Sequence, residues 1–173
     1  MGLHTIRLNI NGQLRNASVR SNTLLADLLR EDFRLTGVHI GCDTSQCGCC
    51  TIHLDGEAIK ACSILAVQAH DHSIITIEGL ASSDGKLHPV QQAMIDCHGL
   101  QCGFCTPGIV MLLVDFLRKF PNADEWSIRR ALDGNLCRCT GYQHIIDAAL
   151  KVVTNNNPKP LNSGQGSDRE KDV

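Results

Sequence analysis

Ten cysteines in 173 residues, five of them inside the single stretch "GCDTSQCGCCTIHLDGEAIKAC" (41–62), constrain this chain more than any other feature. Thiols at that density form a disulfide framework, a zinc site or a cage for a redox-active metal. The N-terminus "MGLHTIRLNI" lacks the charged-then-apolar layout of a secretion signal. It also has Ile6 where the myristoylation pattern requires Ser or Thr. The expected compartment is therefore cytoplasmic, where structural disulfides are rare. No run of eighteen apolar residues suggests a membrane span. Aromatic residues are 3 % and the formal charge is −2, so neither stacking platforms nor a basic field supports nucleic-acid binding. Metal is the leading explanation of the thiols.

Cys42, Cys47, Cys50 and Cys62 have the spacing C-x4-C-x2-C with a fourth cysteine further on. That opening is the plant-type 2Fe–2S spacing. A loop of four and then two residues wraps a cluster, pointing thiolates inward and N–H groups at the sulfurs. Gly41 and Gly48 stand where the backbone must come close or take a positive φ. Neighbouring side chains in an extended loop diverge, so Cys49 cannot share the site with Cys50 and is a spare thiol. Zinc is the blander alternative, but its sites usually present two C-x2-C knuckles and only one lies here.

The surroundings of these cysteines read as β-rich. "TIRLNI" alternates apolar and polar residues and meets Asn11-Gly12, a hairpin turn; Asp55-Gly56 marks a second hairpin between "TIHLD" and "EAIKAC". Cys62 is expected to end the returning strand. "SIITIEGL" (73–80) reads as another strand, and "TLLADLLRED" as a short amphipathic helix. After Gly85 the pattern turns helical. Pro89 and Pro107 stand at first helical turns, Gly134 reads as a C-terminal cap, and "YQHIIDAALKVV" carries a last apolar stripe. Four helices suggest a small bundle. Residues 155–173 have the composition of a disordered tail.

The second cysteine group lies in the helical half. "LQCGFCTPG" supplies Cys102 and Cys105, and "GNLCRCTGY" supplies Cys137 and Cys139. Both pairs stand at helix junctions, and a helix N-terminus favours an anionic cluster. The tight C-x-C spacing is unusual for zinc, so a second iron–sulfur cluster is favoured, with zinc left open. Two cages of four leave Cys49 and Cys97. Cys97-His98 is expected to be a semi-buried thiol beside a turn rather than a Rieske-like ligand pair. His70-Asp71-His72 reads as a polar turn.

"GCDTSQCGCCTIHLDG…AC", "LHPVQQAM", "GLQCGFCTPG" and "GNLCRCTGYQHI" together resemble the iron–sulfur small subunit of the molybdenum hydroxylases, the xanthine oxidase family in its three-subunit form, nearest the aerobic carbon monoxide dehydrogenase type. The resemblance covers residues 4 to 153. It implies an α+β fold: a plant-ferredoxin-like β-grasp domain over residues 1–80, then a four-helix bundle of two-fold character over 85–154. It implies a 2Fe–2S cluster in each, the outer on Cys42, Cys47, Cys50 and Cys62 and the inner on Cys102, Cys105, Cys137 and Cys139. Gln101 and Cys139 are implied to touch a molybdopterin-type cofactor across an interface. The implied partners are a large molybdopterin subunit and a medium FAD subunit, in a dimer of heterotrimers. The two departures are Cys49, where a small residue is common, and Cys97.

The expected function is electron transfer inside an oxidoreductase complex, from molybdopterin through two 2Fe–2S clusters to FAD, with no catalytic acid or base here. A free-standing ferredoxin is the rival, for which one β-grasp domain would suffice and a stronger acidic charge would be usual. A zinc-stabilised adaptor is the other. The substrate (carbon monoxide, an N-heterocycle, an aldehyde or an acyl thioester) is chosen by a subunit this sequence does not contain.

Overall fold

The computed structural model describes residues 2–156. Two β-hairpins and a short strand build a five-stranded sheet. β1 (Leu3–Ile10) and β2 (Gln13–Arg20) pair antiparallel in full register from Leu3↔Arg20 to Ile10↔Gln13. Asn11 and Gly12 turn the chain with φ of 51° and 80°, the left-handed pair that matches strand twist in a two-residue hairpin. β3 (Thr51–Leu54) and β4 (Glu57–Lys60) repeat the device across Asp55-Gly56. β5 (Ser73–Ile75) runs parallel to β1 and antiparallel to β3, giving the order β2-β1-β5-β3-β4.

One face of this sheet is apolar because Ile6, Leu8 and Ile10 alternate along β1 with exposed or half-buried residues. Against it lies α1 (Leu25–Asp27), which continues as a π-helical turn over Leu28–Asp32. Leu25, Leu28 and Leu29 are fully buried there with Ile52 and Ile74. Two expected strands are shorter than the sequence suggests. "SIITIEGL" leaves the sheet after Ile75, because Thr76 turns its backbone N–H to Asn11 Oδ1 (2.9 Å) and a 3₁₀ turn begins at Ile77. β4 ends at Lys60: Ala61 N still donates in ladder register to Cys50 O (3.2 Å), but the chain then bends into the 3₁₀ turn Ala61–Ser63, which holds Cys62.

The helical half has four helices: α2 (Pro89–Asp96), α3 (Thr106–Lys119), α4 (Glu125–Leu132) and α5 (Gln143–Asn156). Pro89 opens α2, capped by His88 Nδ1 accepting from Val90 N (3.2 Å), and Pro107 lies in the first turn of α3. Asp124 caps α4 by accepting from Ser127 N (2.8 Å). Their buried core is Val90, Met94, Ile109, Leu113, Ile128, Ile145 and Ala149, among others. Gly134 does not close α4 in a left-handed conformation. Asp133 ends the helix through its N–H to Arg130 O, and Asn135 N reaches Leu132 O (2.9 Å). α5 runs two residues into the stretch read as a tail; the rest of that stretch, 157–173, lies outside the described residues. Among the described residues no helix is long and apolar enough to cross a membrane.

The two cores meet along α3, which lies against β3 and β4. Buried His53 Nε2 is 2.7 Å from Met111 O. The Asp115 side chain, 8 % exposed, accepts from Ala58 N (3.1 Å), Lys119 Nζ (2.8 Å) and Arg118 (2.7 Å), while Glu57 pairs with both cations from β4. Burial pushes the Asp115 carboxyl up, but Lys119, the Ala58 N–H and Arg118 outweigh it and hold the group below its ordinary value. A depressed folded-state value adds stability that is complete above the unfolded value, about 3.9, and disappears as pH falls through the folded value. Asp115→Ala is therefore expected to cost about 2 kcal/mol at pH 7. Melting curves at pH 7 and at about pH 3 should show the gap to wild type narrowing in acid; an equal gap at both would separate the loss from the carboxylate.

Candidate metal centres

The residues from Gly41 to Cys50 form an irregular loop before β3, with Ser45 (φ 57°) and Gly48 (φ 69°) in left-handed conformations that curl it back on itself. The curl brings Cys47 N to 3.4 Å from Cys42 Sγ, and the two cysteine side chains are in contact. Cys50, buried in front of β3, meets the side chain of Cys62, which the Asp55-Gly56 hairpin returns to it. Ser45 Oγ lies 3.4 Å from Cys62 Sγ. The four expected thiols of the first group are thus arranged as two pairs, 42 with 47 and 50 with 62.

The second group is arranged the same way. Gly103 takes φ 83° between Cys102 and Cys105, and Cys105 is the residue at the N-terminal end of α3. Cys139 Sγ is 3.5 Å from Cys102 Sγ, and Cys105 contacts Cys137. All four line one cavity of about 230 Å3, with Gly41, Cys47, Cys49, Phe104, Leu136 and Arg138. Cys102 and Cys139 are exposed, Cys137 is half-buried and Cys105 is buried. Gln101 is exposed beside Cys102.

Local electrostatics sort the thiols. N–H groups of Cys47 and Thr44 draw Cys42 down to about 6. Burial pushes Cys50 up to about 11 and Cys105 to about 12. Burial also raises Cys137, but the Thr140 hydroxyl and the N–H groups of Thr140 and Cys139 outweigh it and hold that thiol below its ordinary value. Contact with Cys102 raises Cys139. These thiols would hold iron only as thiolates, so loading a cluster there would release their protons.

Two thiols per iron is what a 2Fe–2S cluster takes from a four-cysteine protein, and the sulfurs stand in four such pairs. A Cβ on Gly41 would crowd Cys47 Sγ (3.2 Å) and the Phe104 ring (3.3 Å), so the loop leaves no room for a side chain beside that sulfur. Thr106 Oγ1, next to Cys105, is buried with no hydrogen-bond partner among the described residues. The donor set fits the group. All ten cysteines are free thiols. Cys49 and Cys50 diverge as the loop geometry demands, Cys50 into the sheet's core and Cys49 into the helical core. Cys49 is 4 % exposed and burial pushes its thiol up to about 12, which leaves it protonated and shielded from oxidants. Cys97 is half-buried at the end of α2. His70, Asp71 and His72 form a polar turn that holds Arg7 and Asp55.

The two sets are fastened to each other by hydrogen bonds onto main-chain carbonyls of the first loop. Leu136 N donates to Cys47 O (2.8 Å), and Asn135 Nδ2 donates to Gly48 O (3.0 Å). Gly108, in the first turns of α3, lies so close to Gly48 O and Cys49 that a methyl group there would collide with backbone. Asn135, Gly108, Thr140 and Tyr142 escaped sequence reasoning. Only the hydroxyl of Thr140, three residues beyond a cysteine, offered a signal.

Residues 8–73 match the family described as 2Fe-2S iron-sulfur cluster binding domain, and residues 76–150 the one described as 2Fe-2S binding domain. The caffeine dehydrogenase subunit gamma of Pseudomonas sp. (strain CBB1) is 52 % identical over 155 residues, covering 88 % of this chain and 92 % of that one. The chain belongs to the iron–sulfur small subunits of the molybdenum hydroxylases, the xanthine oxidase family. The nicotinate dehydrogenase small FeS subunit of Eubacterium barkeri shares 46 % identity with this small subunit over 86 % of it and 94 % of the relative. In the crystal structure of quinoline 2-oxidoreductase from Pseudomonas putida 86, a chain superimposes with a TM-score of 0.85 at 43 % identity, covering 90 % of this chain and 96 % of that one. The aldehyde oxidoreductase of Desulfovibrio gigas gives 0.83 at 35 % identity, over 91 % of this chain and 18 % of that longer one. The small subunit is thus a component of an oxidoreductase complex. It carries two 2Fe–2S clusters, one for each family match.

Proposed function

We propose that the small subunit relays electrons from the molybdopterin centre of a large subunit to FAD on a medium subunit, holding its two clusters in line between them. The observation that carries this reading is the four sulfur pairs, in two sets joined by the Leu136 N to Cys47 O hydrogen bond. Cys42, Cys47, Cys50 and Cys62, in a β-grasp domain over residues 1–80, hold the outer group. Cys102, Cys105, Cys137 and Cys139, in the helical domain over 85–154, hold the inner one. When bound, each cluster supplies a one-electron couple.

The chain's own atoms fix the ligands, exclude water from Cys47, Cys50 and Cys105, and aim N–H groups at Cys42, where negative charge accumulates. Gln101 and Cys139, both exposed, face the large subunit's pterin in this reading. Exposure of Cys102 and Cys139 speaks against a free-standing carrier, since a cluster in water meets oxidants that a covering subunit would exclude. The complex is a dimer of heterotrimers in the cytoplasm, and its substrate is selected by the large subunit.

The test is native purification of the complex with metal and flavin analysis per copy of this chain. About four iron, with molybdenum and flavin in equal amounts and two larger chains, is the expected result. Iron at that level in a chain that elutes alone, with no dissociated partners in the lysate, would return the free-standing carrier to first place.

A further inference from the structure

Four residues around the helical core's last cysteine pair, Asn135, Cys137, Thr140 and Tyr142, are held in a hydrogen-bond circuit. Thr140 Oγ1 lies 3.0 Å from Cys137 Sγ and accepts from Tyr142 N at 3.2 Å. The Tyr142 hydroxyl accepts from Cys137 N (2.8 Å) and donates to Asn135 O (3.2 Å). Two successive residues, Gly141 (φ 64°) and Tyr142 (φ 70°), take the left-handed conformation to close it. A tyrosine rarely adopts that conformation, and backbone strain of this kind persists where the surroundings over-determine it.

The circuit places the Thr140 hydroxyl against Cys137 Sγ. Thr140 Oγ1 accepts the Tyr142 N–H with one lone pair, and its own hydrogen is free to point at its other neighbour, Cys137 Sγ. A ligating cysteine is a thiolate and has no proton to give, so the hydroxyl is the donor. The comparable contact in the first set, Ser45 Oγ to Cys62 Sγ, is longer at 3.4 Å. A hydrogen bond to a cluster sulfur favours the more negative, reduced state and raises the reduction potential.

We propose that Thr140 is a positioning residue for electron transfer: its hydroxyl, oriented by Tyr142, donates to Cys137 Sγ and raises the potential of the cluster which that sulfur ligates. The inference rests on Cys137 being a ligand of the inner cluster. The step it affects is a one-electron reduction, supplied in the complex by the large subunit's redox centre and in a titration by dithionite. The hydroxyl keeps its proton throughout.

The experiment is a mediated dithionite titration of the purified complex, followed by EPR so that the two clusters are read separately. Thr140→Val is expected to shift the inner midpoint downward, making reduction about tenfold less favourable at a fixed potential, ~59 mV for one electron. The outer midpoint stays at its wild-type value, and Thr140→Ser restores the inner one. An unchanged inner midpoint in Thr140→Val with iron at the wild-type level overturns the proposal, as does an equal shift of both clusters. Thr140→Ala is the companion variant. If neither Val nor Ala retains the inner cluster while Ser does, the hydroxyl is needed for assembly and the proposal also fails. Cys137→Ser, prepared in parallel, separates the two levels: both EPR signals surviving in it would sink the ligand assignment itself.

Discussion

Cys105→Ser is expected to halve the iron content, from about four to about two per chain, and to remove one of two EPR signals while leaving the other. Cys105 is the buried member of its pair, positioned by the start of α3 and in contact with Cys137. A serine oxygen at that point is a poor ligand for a thiolate-seeking cluster. The first set does not depend on it. Cys42, Cys47, Cys50 and Cys62 are placed by the loop 41–50 and by the Asp55-Gly56 hairpin, which close among themselves. Electron flow through the complex should stop, because the surviving cluster has lost its neighbour. Loss of both signals would mean that the sites load in a dependent order, and retention of both would remove Cys105 from the ligand set.

The second large effect is expected at a glycine that carries no chemistry. The Cβ of Gly108→Ala would meet Gly48 O and the backbone of Cys49, atoms that cannot rotate away as a side chain does. Either α3 or the first cysteine loop must move; the loop carries cysteines of the first set, and Cys105 of the second stands at the start of α3. Overpacking of this kind costs about 3 kcal/mol, roughly 10 °C in Tm for a domain of this size. Because the collision lies between the two halves, the magnetic interaction between the reduced clusters should weaken in parallel with the melting temperature. A normal Tm would show that the junction has room for a methyl group. A lowered Tm with unchanged magnetic interaction would place the damage inside one half.

Much of this was legible because the signals were local. Asn11-Gly12 and Asp55-Gly56 announce their hairpins by residue type alone, since few other pairs tolerate two positive φ values. The cysteine spacing nominated eight thiols, and the structure brings those eight together in four pairs while turning Cys49 into the opposite core from Cys50. The helices follow from the apolar stripe and from prolines that can occupy only a first turn. What escaped was set by distant partners. β5 stops at Ile75 because the Asn11 side chain takes the next hydrogen bond, and that competitor lies outside the segment. Gly134 resembled a cap, yet α4 closes on Asp133 and the chain then runs on beside Gly48. Gly108 and the Asn135 side chain matter through contact with Gly48, dozens of positions away.

The hydrogen bond from Leu136 to Cys47 joins an amide that every residue but proline possesses to a carbonyl that every residue possesses. Side chains on either half can be exchanged during descent without removing it. Tunnelling slows exponentially with the gap to be crossed, so small changes in separation have large consequences for rate. In this subunit that gap is held partly by peptide groups, a fastening that most side-chain substitutions leave in place.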